Sequence, residues 1–252
     1  MGLWSDHSTS MWSDHTRVDG YPHRMRAHEL VLERIERDLA DGALAIGDRL
    51  PGERALAEEL SVSRSSVREA IRVLEAMGVV RTAVGSGPDA GATVVADPSS
   101  SIGSALRLHT ATRHLPIADL VDTRILLESW ALREAAHRRP RPDLTAVEAI
   151  LDAMDEVALS PEEFLRLDAA FHVAMSELAG NVVVGAMMAA LRDSIHGYVL
   201  AGVPLLDDWP VVATTLCAEH RAILNAVRRG HGARAGKLVD AHIHGYVDLI
   251  RR

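Results

Sequence analysis

The sequence predicts a mainly α-helical chain in two parts: an N-terminal winged helix-turn-helix and a C-terminal antiparallel all-α bundle. Three observations carry that prediction. Residues 50–74 read as two short helices around a tight turn. Two short β-like runs follow within 79–95, with a glycine-rich stretch between them. Beyond residue 103 the apolar residues recur at helical spacing, broken by Pro and Gly, with no strand pattern of any length. A length of 252 residues suits one large or two ordinary domains.

Residues 1–23 are polar and turn-rich and read as a disordered tail, in which Trp4-Ser5-Asp6-His7 recurs as Trp12-Ser13-Asp14-His15. The winged domain is expected over 24–95. Its first helix runs from about Met25 to Ala40, with Val31, Leu32, Ile35 and Leu39 as its stripe and Gly42 as its stop. Pro51 and Gly52 open the next helix, a suitable place for proline because the first-turn N–H has no helical partner. Ala55, Leu56 and Leu60 give that helix an apolar face. Ser61–Ser63 form the turn, and Ser63 is a natural N-cap for the helix that follows. On that helix Val67, Ala70, Ile71 and Leu74 share one side, while Arg64, Arg68 and Arg72 fall on another with Ser65 beside them. One face suits a core and the other suits phosphates and base edges, the layout of a helix-turn-helix whose second helix reads DNA. The runs 79–82 and 93–95 then form a wing whose tip is 84–91.

Residues 96–103 read as a linker by composition. The bundle is expected over 104–252, with helices near 104–111, 116–138, 144–158, 161–179, 182–201, 211–229 and 232–251.

Composition narrows the classes of function. The formal net charge of −8 argues against a coating, nonspecific nucleic-acid binder, but not against a protein with one positive face. Cys217 is the single cysteine, so an intrachain disulfide and a thiolate cluster are both excluded, which fits a reducing cytoplasm. No apolar run approaches the roughly 18 residues of a membrane span, and the N-terminus lacks the apolar core of a signal peptide. The expected location is the cytoplasm, with no membrane partner.

The bundle carries the second chemistry. Asp168 and His172 lie one turn apart, in or beside the apolar arc of Phe164, Leu167, Phe171, Met175 and Leu178. His220 points into the face of Leu216, Ile223, Leu224 and Val227, and His242 sits among Ala235, Leu238, Gly245 and Leu249. His220 and His242 stand nearly equidistant from the turn at Gly230-His231. The constant helical rise therefore brings them to similar heights on adjacent antiparallel helices. A lone inward histidine is ordinarily a hydrogen-bonded core residue. Three with one carboxylate suit a divalent ion, since a buried carboxylate is costly unless paired or bound to a cation.

Two resemblances sharpen these readings. Leu50-Pro51-Gly52-Glu53-Arg54, Leu56-Ala57, Val62-Ser63-Arg64 and Val67-Arg68-Glu69-Ala70 resemble the winged-helix signature of GntR-type bacterial transcription regulators. The pattern Asp168-x-x-x-His172, Gly180-Asn181, His220 and His242 resembles the C-terminal FCD domain of FadR-type members. The resemblance implies a transcription regulator rather than an enzyme, a repressor released by its effector, acting as a homodimer on double-stranded operator DNA. Arg64 and Arg68 would contact bases or phosphates, and Arg54, Ser63, Ser65 and Ser66 the backbone or flanking bases. Gly85, Ser86 and Gly87 would approach the minor groove. It also implies a divalent metal on Asp168, His172, His220 and His242. That N₃O donor set suits zinc, nickel or manganese, and affinity order favours zinc over manganese. A small organic acid would be the effector, with Arg124 as its clamp and Asn181 and His196 as further pocket residues. Read without the resemblance, Arg124 pairs with Glu128 at i,i+4 and Asn181 starts a helix. Two other functions compete: a metal-dependent bundle hydrolase with an accessory DNA-binding domain, for which no general base stands out at helical spacing, and a regulator that senses the metal directly.

Overall fold

The computed structural model describes residues 26–83, 91–95, 97–112, 114–156 and 159–250. The N-terminal tail with its repeated tetrapeptide, and the wing tip with Gly85, Ser86 and Gly87, lie outside the described residues. Helix α1 (Ala27–Ala40) buries Val31 and Ile35 completely and packs on α3. Helices α2 (Glu53–Glu59) and α3 (Arg64–Ala76) form the helix-turn-helix. Ser63 caps α3, its Oγ accepting the Ser66 N–H at 3.1 Å. Leu56, Val67, Ala70 and Leu74 close the core beneath it. The interior face of α2 is Leu56 and Ala57; Ala55, expected on that face, is exposed.

Strands β1 (Val80–Ala83) and β2 (Gly91–Val94) pair antiparallel, with Val80 opposite Val94, and Arg49 bridges to Thr93 at the sheet edge. Val80 and Val94 turn inward to the domain core. The pair is shifted by one or two residues from the sequence reading.

The largest departure is at the junction. Helix α4 spans Pro98–Ala111, so six of the residues read as linker are helical. Pro98 occupies the first turn, where its missing N–H costs nothing, and Asp97 accepts the Ser100 N–H. The serines that suggest a loop by composition serve here as first-turn residues. Gly78, at φ +70°, lies directly against this start: an added Cβ would collide with the Asp97 carbonyl oxygen. The Asp97 N–H also donates to the Gly78 carbonyl at 3.2 Å.

The bundle comprises α5 (Ile117–His137), α6 (Thr145–Met154), α7 (Pro161–Glu177), α8 (Val182–Gly202), α9 (Trp209–Arg228) and α10 (Gly232–Ile250), with a short 3-10 turn at Val203–Leu205. Ser160 and Glu163 form a reciprocal cap at the start of α7. Helix α6 ends four residues before the expected 158. Helix α4 lies along α8, with Gly103 closely approached by Ala190. Helix α10 packs between α5 and α9, and α7 contacts α5, α6 and α8. On α10 the buried face is Ala235, Val239, His242, Ile243, Tyr246 and Ile250. Gly245 and Leu249 are exposed, so the interior arc is rotated from the predicted one while His242 stays inside it. Among the described residues no helix is long and apolar enough to cross a membrane.

Candidate metal centre and nucleic-acid face

Four side chains from three helices converge in the bundle: Asp168 and His172 from α7, His220 from α9 and His242 from α10. His172, His220 and His242 are 2%, 0% and 4% exposed, so water does not satisfy their rings in bulk. One ligand atom from each of the four lies within 4.8 Å of all the others. The Nε2 atoms of His172 and His220 stand 3.2 and 3.1 Å from that of His242. Asp168 Oδ1 is 3.2 Å from His220 Nε2 and 3.9 Å from His172 Nε2. Donors held about 2.0–2.2 Å from one ion are separated by roughly 3–3.5 Å, so the three shorter edges fit a shared cation and the Asp168–His172 edge is longer than that range.

The outer ring nitrogens explain the orientation. His172 Nδ1 lies 2.6 Å from Glu128 Oε2, and His242 Nδ1 lies 2.7 Å from Glu219 Oε2. A carboxylate partner assigns the proton to Nδ1 and leaves Nε2 with a lone pair directed inward. Two such lone pairs, with Asp168 beside them, repel unless a cation or proton lies between them. His220 Nδ1 is buried with no hydrogen-bond partner among the described residues, and its ring lies on Phe171, with centroids 4.4 Å apart.

The proton affinities follow from burial and neighbours. Burial depresses the His172 and His242 imidazoles, and the Arg124 charge lowers His172 further. Burial opposes the Asp168 carboxylate, yet the His220 hydrogen bond and the three imidazoles hold it far below the ordinary range. The depressed His172 and His242 imidazoles and the ionised Asp168 carboxylate suit the protonation states that metal ligands require. Burial raises the Glu128 carboxyl, against the opposing charge and hydrogen bond of Arg124.

Sequence reasoning missed Glu128 and Glu219. Glu128 is 2% exposed and carries both the Arg124 Nε bond at 2.6 Å and the His172 bond. It was legible only as the i+4 partner of Arg124, a pair that needs no third member. Glu219 directly precedes His220 on α9 but serves His242 across the helix pair. No periodicity argument links those two residues.

Two small cavities adjoin the cluster, of about 30 and 20 Å3. Arg124 and Asp168 line both. The first adds His242, Tyr198 and Tyr246, and the second adds His172, Arg192 and His196. Arg124 and His196 are thus brought to the cluster. Asn181 is not: it caps α8, its Oδ1 accepting the N–H groups of Val183 and Val184, and lines a separate depression with Asp97 and Glu177.

The N-terminal face is built differently. Arg64 and Arg68 project from the first turns of α3 and are 59% and 53% exposed. Both approach Glu53 of α2, at 3.6 and 2.8 Å. Arg54 pairs with Glu58 on its own helix. The Ser63 hydroxyl lies within hydrogen-bond distance of those of Ser65 and Ser66, giving a small polar cluster at the helix N-terminus. Such a terminus, with free N–H groups and adjacent arginines, suits a phosphate.

Comparison with known proteins agrees with this division. Residues 28–88 match the family described as "Bacterial regulatory proteins, gntR family", and residues 119–245 match the FCD domain. The chain is 32% identical to the Glc operon transcriptional activator of Escherichia coli K12 over 205 residues, 79% of each chain. The chain belongs to the GntR family, in its FCD-containing FadR subfamily. A second relative is the HTH-type transcriptional regulator LutR of Bacillus subtilis, 29% identical over 84% of this chain and 95% of that one. A third is the HTH-type transcriptional repressor NanR of Cronobacter sakazakii, 28% identical over 88% of this chain and 84% of its own. A solved Streptococcus agalactiae GntR protein aligns with TM-score 0.61 and 25% identity over 89% of this chain and all of that one. This GntR regulator therefore binds DNA through its helix-turn-helix and carries an FCD bundle whose Asp/His₃ cluster can bind a metal. Its relatives are transcription regulators and not enzymes, which removes the hydrolase alternative.

Proposed function

We propose that this GntR regulator is a metal-loaded, acid-responsive repressor that binds its operator as a homodimer in the cytoplasm. The observation that carries the proposal is the inward convergence of three Nε2 atoms and Asp168, two of the rings being fixed from behind by Glu128 and Glu219. Asp168, His172, His220 and His242 would hold a divalent ion, with zinc the first choice and nickel or manganese the alternatives. When bound, that ion would supply positive charge and open coordination positions for a small carboxylate. Arg124 lines both neighbouring cavities and would take the other side of the same carboxylate. His196 lines the second cavity and would contact the remainder of the acid.

The relatives carry both signs of regulation in their names, an activator from Escherichia coli and a repressor from Cronobacter sakazakii. Ligand would relieve repression, because an effector that rearranges helices around a buried site acts most simply by disfavouring the DNA-competent arrangement. On the DNA side, Arg64 and Arg68 would exchange Glu53 for bases or phosphates. Arg54, Ser63, Ser65 and Ser66 would contact the backbone, and Gly85 and Gly87 the minor groove. A two-fold protein suits a palindromic site.

Fluorescence anisotropy on an operator fragment, with apo and zinc-loaded protein and a panel of small carboxylic acids, tests the whole reading. The expected result is tight binding that one acid weakens only in the presence of metal. Operator affinity that changes with zinc alone would make the ion itself the signal. Affinity indifferent to zinc and to every acid would remove the ligand-responsive half of the proposal.

A further inference from the structure

Glu128 is the most deeply buried carboxylate of the site and is not in the metal-ligand set. It sits on α5, while the ligands come from α7, α9 and α10. Its two oxygens face two different partners. Oε1 accepts from Arg124 Nε at 2.6 Å, and Oε2 accepts from His172 Nδ1 at 2.6 Å. Both partners are themselves largely enclosed, with Arg124 12% and His172 3% exposed. Neither bond competes with bulk water, so both are strong and geometrically restrictive.

Each bond has a separate consequence. The bond to His172 fixes the ring rotation and the tautomer that present Nε2 to the other ligand atoms. The bond to Arg124 uses one of the five N–H donors of the guanidinium and leaves others for a ligand in the adjoining cavities. A carboxylate that merely neutralised Arg124 would have no need of His172. One that merely oriented His172 would have no need of Arg124. Here a single planar group does both, so displacement of one partner shifts the group that holds the other.

We infer that Glu128 is a positioning residue shared by the metal site and the acid clamp, coupling His172 to Arg124 through one carboxylate. The inference rests on the metal reading above and adds to it a regulatory link: ion loading at His172 changes how Arg124 is held, and engagement of Arg124 changes the affinity for the ion. Such coupling is reciprocal by thermodynamic necessity. It makes a definite demand of Arg124, a residue outside the ligand set, whose removal must alter zinc affinity.

The test uses the full chain with zinc as the probe. Zinc affinity is measured by competition with a chromophoric chelator for the parent, Glu128→Gln, Glu128→Ala and Arg124→Ala proteins. Long-range ¹H–¹⁵N spectra report the His172 tautomer and the Arg124 Nε–H. The expected loss is about 10–100-fold for Glu128→Ala, the range of carboxylates that support metal-bound histidines. Glu128→Gln, which retains an acceptor oxygen for only one partner, falls between it and the parent. Arg124→Ala shifts zinc affinity several-fold, and zinc addition to the parent moves the Arg124 Nε–H signal. Parent protein that binds zinc tightly, with Glu128→Gln and Arg124→Ala within twofold of it and the Arg124 signal unmoved, overturns the coupling and leaves the metal reading intact. Parent protein that binds neither zinc, nickel nor manganese overturns the metal reading and the coupling with it. Glu128→Gln preserves shape and volume, so the result does not depend on the alanine variant folding.

Discussion

In the N-terminal domain Arg54, Arg64 and Arg68 stand in solvent, each beside a glutamate of its own or the adjoining helix; in the bundle His172, His220 and His242 stand in the buried interior, two of them backed by a glutamate from another helix. The same residue type, glutamate, serves both regions with opposite effect. Glu53 holds Arg64 and Arg68 in exposed pairs that are worth little and exchange readily. A phosphate or base edge would replace that partner at small cost. Glu128 is 2% exposed, so its partners have little solvent to turn to. Under the proposed function, an output that must engage and release DNA would be built from exchangeable contacts, and an input that must discriminate a ligand from fixed ones.

Three experiments sharpen or break this contrast. The largest effect is expected from His220→Ala. It removes a ligand on which Asp168 and His242 both converge, and stoichiometric zinc in the purified protein should disappear by elemental analysis. The helix-turn-helix has its own core, so the variant should retain nonspecific DNA affinity. Zinc retained at one equivalent per chain would show that His220 is not a required ligand. Next is Arg64→Ala, which should weaken operator binding by about 1–3 kcal/mol if the arginine reads a base, while leaving zinc affinity unchanged. An operator affinity and a preference over scrambled DNA that the change leaves unaltered would refute a reading role. The smallest is Ser63→Ala, which deletes the α3 cap and should cost about 1 kcal/mol of N-terminal domain stability by thermal melting. An unshifted melt would mean that other groups satisfy those N–H donors.

Much of this was legible in the sequence, and the gaps have physical causes. His172 is placed by its turn spacing from Asp168, and the shared height of His220 and His242 follows from their distances to the Gly230 turn. Helices with a constant rise make such counting dependable. Glu128 escaped because its bond to His172 spans 44 residues of chain, a separation on which helical periodicity is silent. Glu219 escaped because it crosses between helices instead of supporting the neighbouring histidine on its own. The error on α10 came from weighting Gly245 and Leu249 as apolar; both are exposed, and Tyr246 with Ile250 fills the interior instead. The linker misreading came from composition: Asp97-Pro98-Ser99-Ser100 contains turn formers, and the same residue types make a capped helix start.

That helix start has a mechanical consequence. Among the described residues that join α3 to α4, Asp97 is seated against Gly78, where even a methyl group would collide. A flexible tether would let two recognition helices search a range of separations. In the proposed homodimer this junction would instead work like the pivot of a pair of callipers, setting the gap between the points from the angle of the arms. Operators with one base pair inserted between half-sites should then lose affinity far more steeply than a tethered pair of domains would allow.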